Sequence, residues 1–277
     1  MATAGEGAGR PRAGEVARRA AQVLSEGALA ALATLIEAPR SVGAKILLEE
    51  AGRQTGTTGD AALDAALAAH ARAFLASRAE ARTFSVEEFA PGLEEWRGSR
   101  ILLERVEAEP RVVVCGAGHV GASLARLARS IGYGVTLIDD RAEFVARARF
   151  PDEGIELVAA SDGWGGAVAR AVGGGRGIYV AVVTRGHNED EECMRAVLAA
   201  RPDYVGMIGS RRRTNIVLGR LREAGFDEEA LRQVRAPVGL NIGAVSPEEV
   251  ALSILAEIVA HRRGGTGAPL SDWRRRE

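Results

Sequence analysis

Lysine is almost missing from this 277-residue chain: 35 of its 36 basic residues are arginine, and the single lysine is Lys45. Asparagine is nearly as scarce, found only at Asn188, Asn215 and Asn241. Such bias reflects a GC-rich genome more than chemistry, yet it singles out the positions where Lys or Asn survives. Cysteine is limited to Cys115 and Cys193. Two thiols are too few for a disulfide framework, which points to a reducing compartment. They also cannot ligate an iron–sulfur cluster, which takes four. C-x-x-C and H-E-x-x-H are both missing and the four histidines have no ligand spacing, so no metal site is expected. There is no G-x-S-x-G nucleophile elbow. The longest apolar run, around residues 28–36, is too short to span a bilayer and is closed by Glu37. Residues 1–12 lack the apolar segment of a secretory signal. Neither sign of charge dominates: 36 basic against 37 acidic residues leave a net −1. A general nucleic-acid binder and an acidic tail are therefore excluded. A cytoplasmic location, with no membrane contact, is the default expectation.

What is present suffices for one large or two modest domains with a sizeable core. Residues 1–12 and 264–277 are rich in Gly, Pro and Arg without an apolar period, and read as disordered tails. Between them the sequence divides near Glu109-Pro110. Residues 13–108 combine helical spacing over 14–24 and 60–77 with strand patterns over 29–36, 44–48 and 100–106. That is a small α+β domain. Residues 110–263 alternate regularly. Strands are predicted over 111–115, 134–138, 155–158, 177–183 and 204–208. Helices are predicted over 119–131, over 189–200 and on through Leu221. Such alternation predicts an α/β, Rossmann-like parallel sheet covered on both faces. The last helix opens at Ser246-Pro247-Glu248-Glu249, a capping box with Pro at the first helical position.

The strongest local motif is Gly116-Ala117-Gly118-His119-Val120-Gly121, a G-x-G-x-x-G between a predicted strand and a predicted helix. Its first Gly permits a tight turn, its second lets a pyrophosphate approach the backbone, and its third lets helix and sheet pack closely. The helix start then offers amide groups to an anion. About 20 residues on, Asp139-Asp140-Arg141 stands where an acid ordinarily binds a ribose diol; Arg141 could instead favour an extra phosphate. His119 would face a bound phosphate, or be an exposed histidine at a helix start. At the end of the fourth strand, Thr184, His187, Asn188 and Asp190 fall together at the expected ligand edge. His187 is the candidate acid–base or ligand donor, and Asp190 is expected to cap the next helix. The fifth strand runs into Gly209-Ser210-Arg211-Arg212-Arg213. Three cations at a helix start oppose the dipole, which suggests that something negative binds there. Asn241, in a Gly- and Pro-rich loop, either caps, forms a turn or touches ligand. Lys45, at the end of Pro39-Arg40-Ser41-Val42-Gly43-Ala44-Lys45, supplies a compact ammonium. Gly56-Thr57-Thr58-Gly59-Asp60 leads into a helix with Asp60 as its N-cap.

These residues resemble the XdhC/CoxI family, accessory proteins of xanthine dehydrogenase and related molybdenum hydroxylases. The resemblance covers nearly all of residues 28–263. It is carried by Gly116-Ala-Gly-His-Val120, Ile138-Asp-Asp-Arg-Ala-Glu-Phe144, Phe150-Pro151, Val183-Thr184 with His187, and Tyr204-Val-Gly-Met-Ile-Gly-Ser-Arg-Arg212. Ala236-Pro-Val-Gly-Leu240, Ser246-Pro-Glu-Glu249 and, more loosely, Gly43-Ala44-Lys45 with Gly56-Thr57 and Gly59 add to it. Three positions depart from the family pattern. Gly59-Asp60-Ala61 stands where a Gly-Gly-Gly or Gly-Gly-Cys run is common. Asn241 replaces an Asp, and Arg235 replaces a His.

The resemblance implies a protein that binds the molybdenum cofactor (molybdopterin), a pyranopterin with a phosphate or nucleotide tail. It implies a cofactor chaperone more than an enzyme. Its partners would be a cysteine desulfurase, for sulfuration, and a xanthine dehydrogenase-type molybdenum hydroxylase, for insertion. The expected site is a cleft between the two domains. There Gly116, Gly118 and the helix starting near His119 would receive phosphate, Ser210, Arg211 and Arg212 would hold a second anionic part, and His187 and Lys45 would face the pterin or dithiolene side. Two other readings stay open. One is an NAD(P)-dependent oxidoreductase using the same glycine loop with His187 as acid–base. The other is an interaction protein on an empty scaffold. Such folds commonly form a homodimer, which the sequence does not specify.

Overall fold

Period-two alternation decides the amino-terminal unit. The structure, a computed structural model, describes residues 13–77 and 79–271, and the chain divides into two compact units at Ala108/Glu109. The first unit runs α1 (Ala13–Ser25), β1 (Ala30–Glu37), β2 (Lys45–Glu49), β3 (Gln54–Gly56), α2 (Ala61–Ala76), β4 (Ala81–Ser85), α3 (Val86–Phe89) and β5 (Arg100–Val106). Its sheet is antiparallel in the order β3-β2-β1-β5-β4. Along β1, Ala31, Ala33 and Leu35 pack with Leu63, Leu67, Ala71 and Phe74 of α2. The intervening Ala30 and Leu32 pack with Val16 and Val23 of α1. Successive strand side chains point to opposite faces, so each face acquires its own helix.

As expected, Asp60 caps α2, accepting from the Ala62 and Leu63 amides. One turn on, Asp64 turns inward. It accepts from the Thr57 hydroxyl (2.5 Å), the Thr58 amide (2.8 Å) and the Thr58 hydroxyl (2.6 Å), which fixes the loop entering the helix. Three elements go beyond the sequence reading. β3 is three residues long, too short to show a period, and β4 is an edge strand with only Phe84 buried, so it has no alternation to read. α3 is a single turn.

The second unit runs β6 (Arg111–Cys115), α4 (His119–Ser130), β7 (Gly134–Asp139), β8 (Ile155–Ala159), α5 (Trp164–Val172), β9 (Ile178–Val182), α6 (His187–Ala200), β10 (Tyr204–Met207), α7 (Arg211–Glu223), α8 (Glu228–Gln233) and α9 (Pro247–Arg263). All five strands are parallel, in the order β10-β9-β6-β7-β8. Val112 and Val114 of β6 face α4 and α9, whereas Val113 and Cys115 face α5, α6 and α7. Strand order reverses between β6 and β9, so α4 and α6 leave on opposite faces. That switch point, at the carboxyl ends of the strands, is where doubly wound sheets bind ligands. Two helices here were not expected. Gly165 and Gly166 dilute the apolar period of α5, and α8 has only six residues.

Beyond β10 the chain returns alongside the sheet. The Arg235 amide donates to Val205 O (2.9 Å), and the Val238 amide donates to Met207 O (3.1 Å). Residues 235–238 thus extend the parallel edge and deliver the loop holding Asn241 to the carboxyl end. The capping box of α9 is formed as read, with Ser246 accepting from the Glu249 amide. Within α9, Glu257 accepts from the Tyr204 hydroxyl (2.7 Å) and the Gly239 amide (2.8 Å). α9 stops at Gly264, and the Gly265 amide folds back onto Ala260 O at 2.8 Å. Of the two segments read as tails, residues 1–12 and 272–277 lie outside the described residues. No helix among the described residues is long and apolar enough to cross a membrane.

Asp64 is the cheapest point at which to loosen the first unit. Asp64→Ala leaves the buried Thr58 amide without an acceptor, and chemical denaturation should show a loss of about 1–3 kcal/mol. An unchanged midpoint would contradict the anchor.

Candidate functional site

The glycine loop separates into two residues that packing demands and one that it does not. Gly116 has φ +114°, and an added Cβ would lie 2.6 Å from Val183 O. At Gly121 a Cβ would collide with the Gly116 carbonyl, so α4 starts hard against the loop. Gly118 is different: its φ is −64° and a Cβ there would meet nothing within 4 Å. Gly118 is the N-cap of α4 and offers no capping side chain, and the first turn of α4 has no acid. The first-turn amides of a helix have no intrahelical acceptor, so those of α4 are left to whatever enters the crevice.

Two more helices begin beside it. Because β10, β9 and β6 are neighbours, α7, α6 and α4 start in a row along one edge. His119 and His187 each occupy the first helical position, after Gly118 and Gly186, and both are exposed. At α7, following Gly209, the Ser210 hydroxyl caps the Arg213 amide (3.3 Å). Arg211 and Arg212 are exposed, with no side-chain partner among the described residues. The acids in the first turn of α6 are both committed. Glu189 lies 3.5 Å from Arg185, and Asp190 is buried. Three positive dipole ends with two uncommitted guanidinium groups make this edge electropositive.

Asp190 corrects the sequence reading. α6 begins at His187 instead of Glu189, its N-cap is Gly186, and the Asp190 side chain points into a buried clamp. There it accepts from the Thr184 hydroxyl at 2.5 Å and from Arg213 Nε. Arg213 Nη2 also donates to the carbonyls of Thr184 and Gly186, each at 3.0 Å. Burial pushes the Asp190 carboxyl above its ordinary range, with Arg213 and Thr184 pulling the other way. Arg213 is therefore a strut between the β9–α6 loop and α7, while Arg211 and Arg212 are free to meet a ligand. Sequence reasoning missed it because three consecutive arginines look alike. The available signal was Asp190 itself, since a buried carboxylate requires a cation.

The two acids at the end of β7 are also engaged. Asp139, only 2% exposed at its side chain, accepts from the Ala117 amide (2.7 Å), the Arg141 amide (3.0 Å), Arg141 Nε (2.9 Å) and Arg141 Nη2 (3.0 Å). Burial raises its pKa, but Arg141 and the two amides outweigh that and hold it below the ordinary 3.8. Asp140 takes a two-pronged bond from Arg185, at 2.9 and 2.7 Å. Asn241 is exposed on its loop. Lys45 belongs to the first unit, where it opens β2 and donates to Thr34 Oγ1 at 2.8 Å. Cys115 and Cys193 are fully buried, and burial, with Cys115 beside it, drives the Cys193 thiol far up. No grouping of His, Cys, Asp and Glu among the described residues could hold a metal ion.

Two measurements check these roles. Arg213→Ala strands a buried carboxylate and should cost about 3–5 kcal/mol in denaturant unfolding. Arg211→Ala should stay within about 0.5 kcal/mol; equal losses would contradict the division of labour. The second is a pH series on Asp139→Asn. A carboxylate held below its ordinary pKa stabilises the fold above that value, and the contribution is lost as pH falls through the lowered one. The stability gap between wild type and Asp139→Asn should therefore narrow below pH 3.8. A gap independent of pH would refute the assignment.

Comparison with known proteins bears on both units. The family model described as the XdhC Rossmann domain matches residues 112–258, and that of the XdhC and CoxI family matches residues 23–87. The uncharacterized protein YqeB of Escherichia coli K12 is 34% identical over 158 residues, 57% of this chain and 28% of that protein. A Bacillus subtilis protein named as a probable xanthine dehydrogenase component is 28% identical over 166 residues, 60% of this chain and 47% of that one. The molybdenum cofactor insertion chaperone PaoD of Escherichia coli K12 is 37% identical over 75 residues, 27% of this chain and 24% of the chaperone. The chain thus spans less than half the length of each of these relatives. The Rossmann match alone takes in more than half of the chain, and the chain belongs to the XdhC and CoxI family.

Proposed function

We propose that this protein binds the molybdenum cofactor and hands it to a xanthine dehydrogenase-type molybdenum hydroxylase, as an accessory protein and not as the hydroxylase. The observation that carries this reading is the row of three helix starts, α4, α6 and α7, with Gly118 open and Arg211 and Arg212 unpaired among the described residues. The cofactor is cargo here. Its phosphate suits first-turn amides together with forked guanidinium donors. His119 and His187 add exposed imidazole donors at two of the three helix starts. Relatives named as a molybdenum cofactor insertion chaperone and as a probable xanthine dehydrogenase component support the same cargo and client.

Sulfuration fits as a partner's chemistry. A sulfur-carrying cysteine must be a reachable thiolate. Cys115 and Cys193 are both buried, with the Cys193 thiol pushed towards its neutral form. A cysteine desulfurase would therefore act on the bound cofactor without a relay through this chain's cysteines.

The test is co-purification from a host that makes the cofactor, with molybdenum and pterin measured on the same sample. Wild type should carry both. The double variant Arg211→Ala, Arg212→Ala should lose about tenfold or more of its bound cofactor, since a hydrogen bond to a charged group is worth ~1.5–3 kcal/mol. Gly118→Val should lose a similar share while keeping its melting temperature. Wild-type protein free of both molybdenum and pterin would overturn the proposal.

A further inference from the structure

We infer that the site takes the pyranopterin as its phosphate monoester and does not read a nucleotide; this rests on the function proposed above. In a Rossmann crevice the acid ending the second strand reads the ribose hydroxyls. Here that residue is Asp139, the last residue of β7. A carboxylate offers about four acceptor positions. Asp139 fills all of them internally, with the Ala117 amide and three donors from Arg141. Arg141 is in turn largely committed and not aimed at a ribose phosphate. Its Nε and Nη2 are held by Asp139, and its guanidinium lies 3.6 Å from the centre of the Phe144 ring.

The second acid is not available either, and its commitment has a spatial consequence. Asp140 follows β7, and Arg185 follows β9. β6 lies between those two strands. The two-pronged Asp140–Arg185 pair therefore passes over the carboxyl end of β6, where the glycine loop begins. A dinucleotide lying across the switch point follows that same path, so it would have to break the strut. It would then meet an Asp139 already saturated, and could use Asp140 for its ribose only at the cost of that pair. A ligand that ends in phosphate needs only the α6 and α7 side of the edge and the open space at Gly118. The arrangement thus favours a phosphomonoester over NAD, NADP and a nucleotide-tailed cofactor.

Calorimetric titration of the cofactor-free protein tests this directly, using pyranopterin cofactor in its phosphomonoester form, its cytosine dinucleotide form, NAD and NADP. The monoester should bind about tenfold or more tighter than the dinucleotide form, and NAD and NADP should give no saturable signal. Arg185→Ala removes the strut and frees Asp140 from an exposed pair. It should raise affinity for the dinucleotide form by about tenfold and leave the monoester within a few fold. Equal or tighter binding of the dinucleotide form or of either nicotinamide nucleotide by wild type would overturn the inference while the proposed cargo stands. An Arg185→Ala protein with unchanged preference would also overturn it. Binding of neither cofactor form would remove the proposed function and this inference together.

Discussion

A parallel sheet forces every crossover helix to begin at the same edge. In the second unit β6, β9 and β10 each hand the chain to a helix start within a few residues, so three positive dipole ends gather along adjacent strands. The rest of the site answers that concentration of charge. Two carboxylates, Asp139 and Asp190, are drawn under the edge and neutralised there by Arg141 and Arg213. They brace the loops without presenting negative charge to the crevice. What faces outward is amides, imidazoles and guanidinium groups, with Asp140 and Glu189 paired to Arg185.

Arginine consequently does two kinds of work in one small region. Arg185 and Arg213 tie loop to loop through forked bonds to acids and carbonyls, and Arg141 grips Asp139 within its own turn. Lysine, a point charge on a flexible stem, would not reproduce those forks. Arg211 and Arg212 have no such duty. A chain with net charge −1 thus carries a local positive edge, because its acids there are spent internally. Overall charge could exclude a general polyanion binder, but it could not reveal one anion site.

Much of this was legible in the sequence where a local rule has one solution. Gly116 and Gly121 had to be glycine for packing, Ser246 to Glu249 had to start a helix, and strands with continuous apolar runs had to lie inside a covered sheet. The family resemblance rested on the same stretches. Long-range partnerships were not legible. Asp190 looked like a cap because its role depends on Arg213, 23 positions away, and on Thr184 across the loop. Arg213 differs from Arg211 and Arg212 only by its angle around α7. Asp139 looked like a ribose acid because its position is the usual one; the side chains that saturate it are visible only in three dimensions. α5 hid behind its own glycines.

The central claim is that an anionic cofactor group sits on these helix starts. Amide chemical shifts of isotope-labelled protein, recorded with and without the phosphomonoester cofactor, test it most directly. The account predicts the largest shifts at the Gly118, His119, Asn188, Arg211 and Arg212 amides, with the β8 end of the sheet unmoved. Cofactor binding that leaves those five amides in place and shifts residues elsewhere would contradict it.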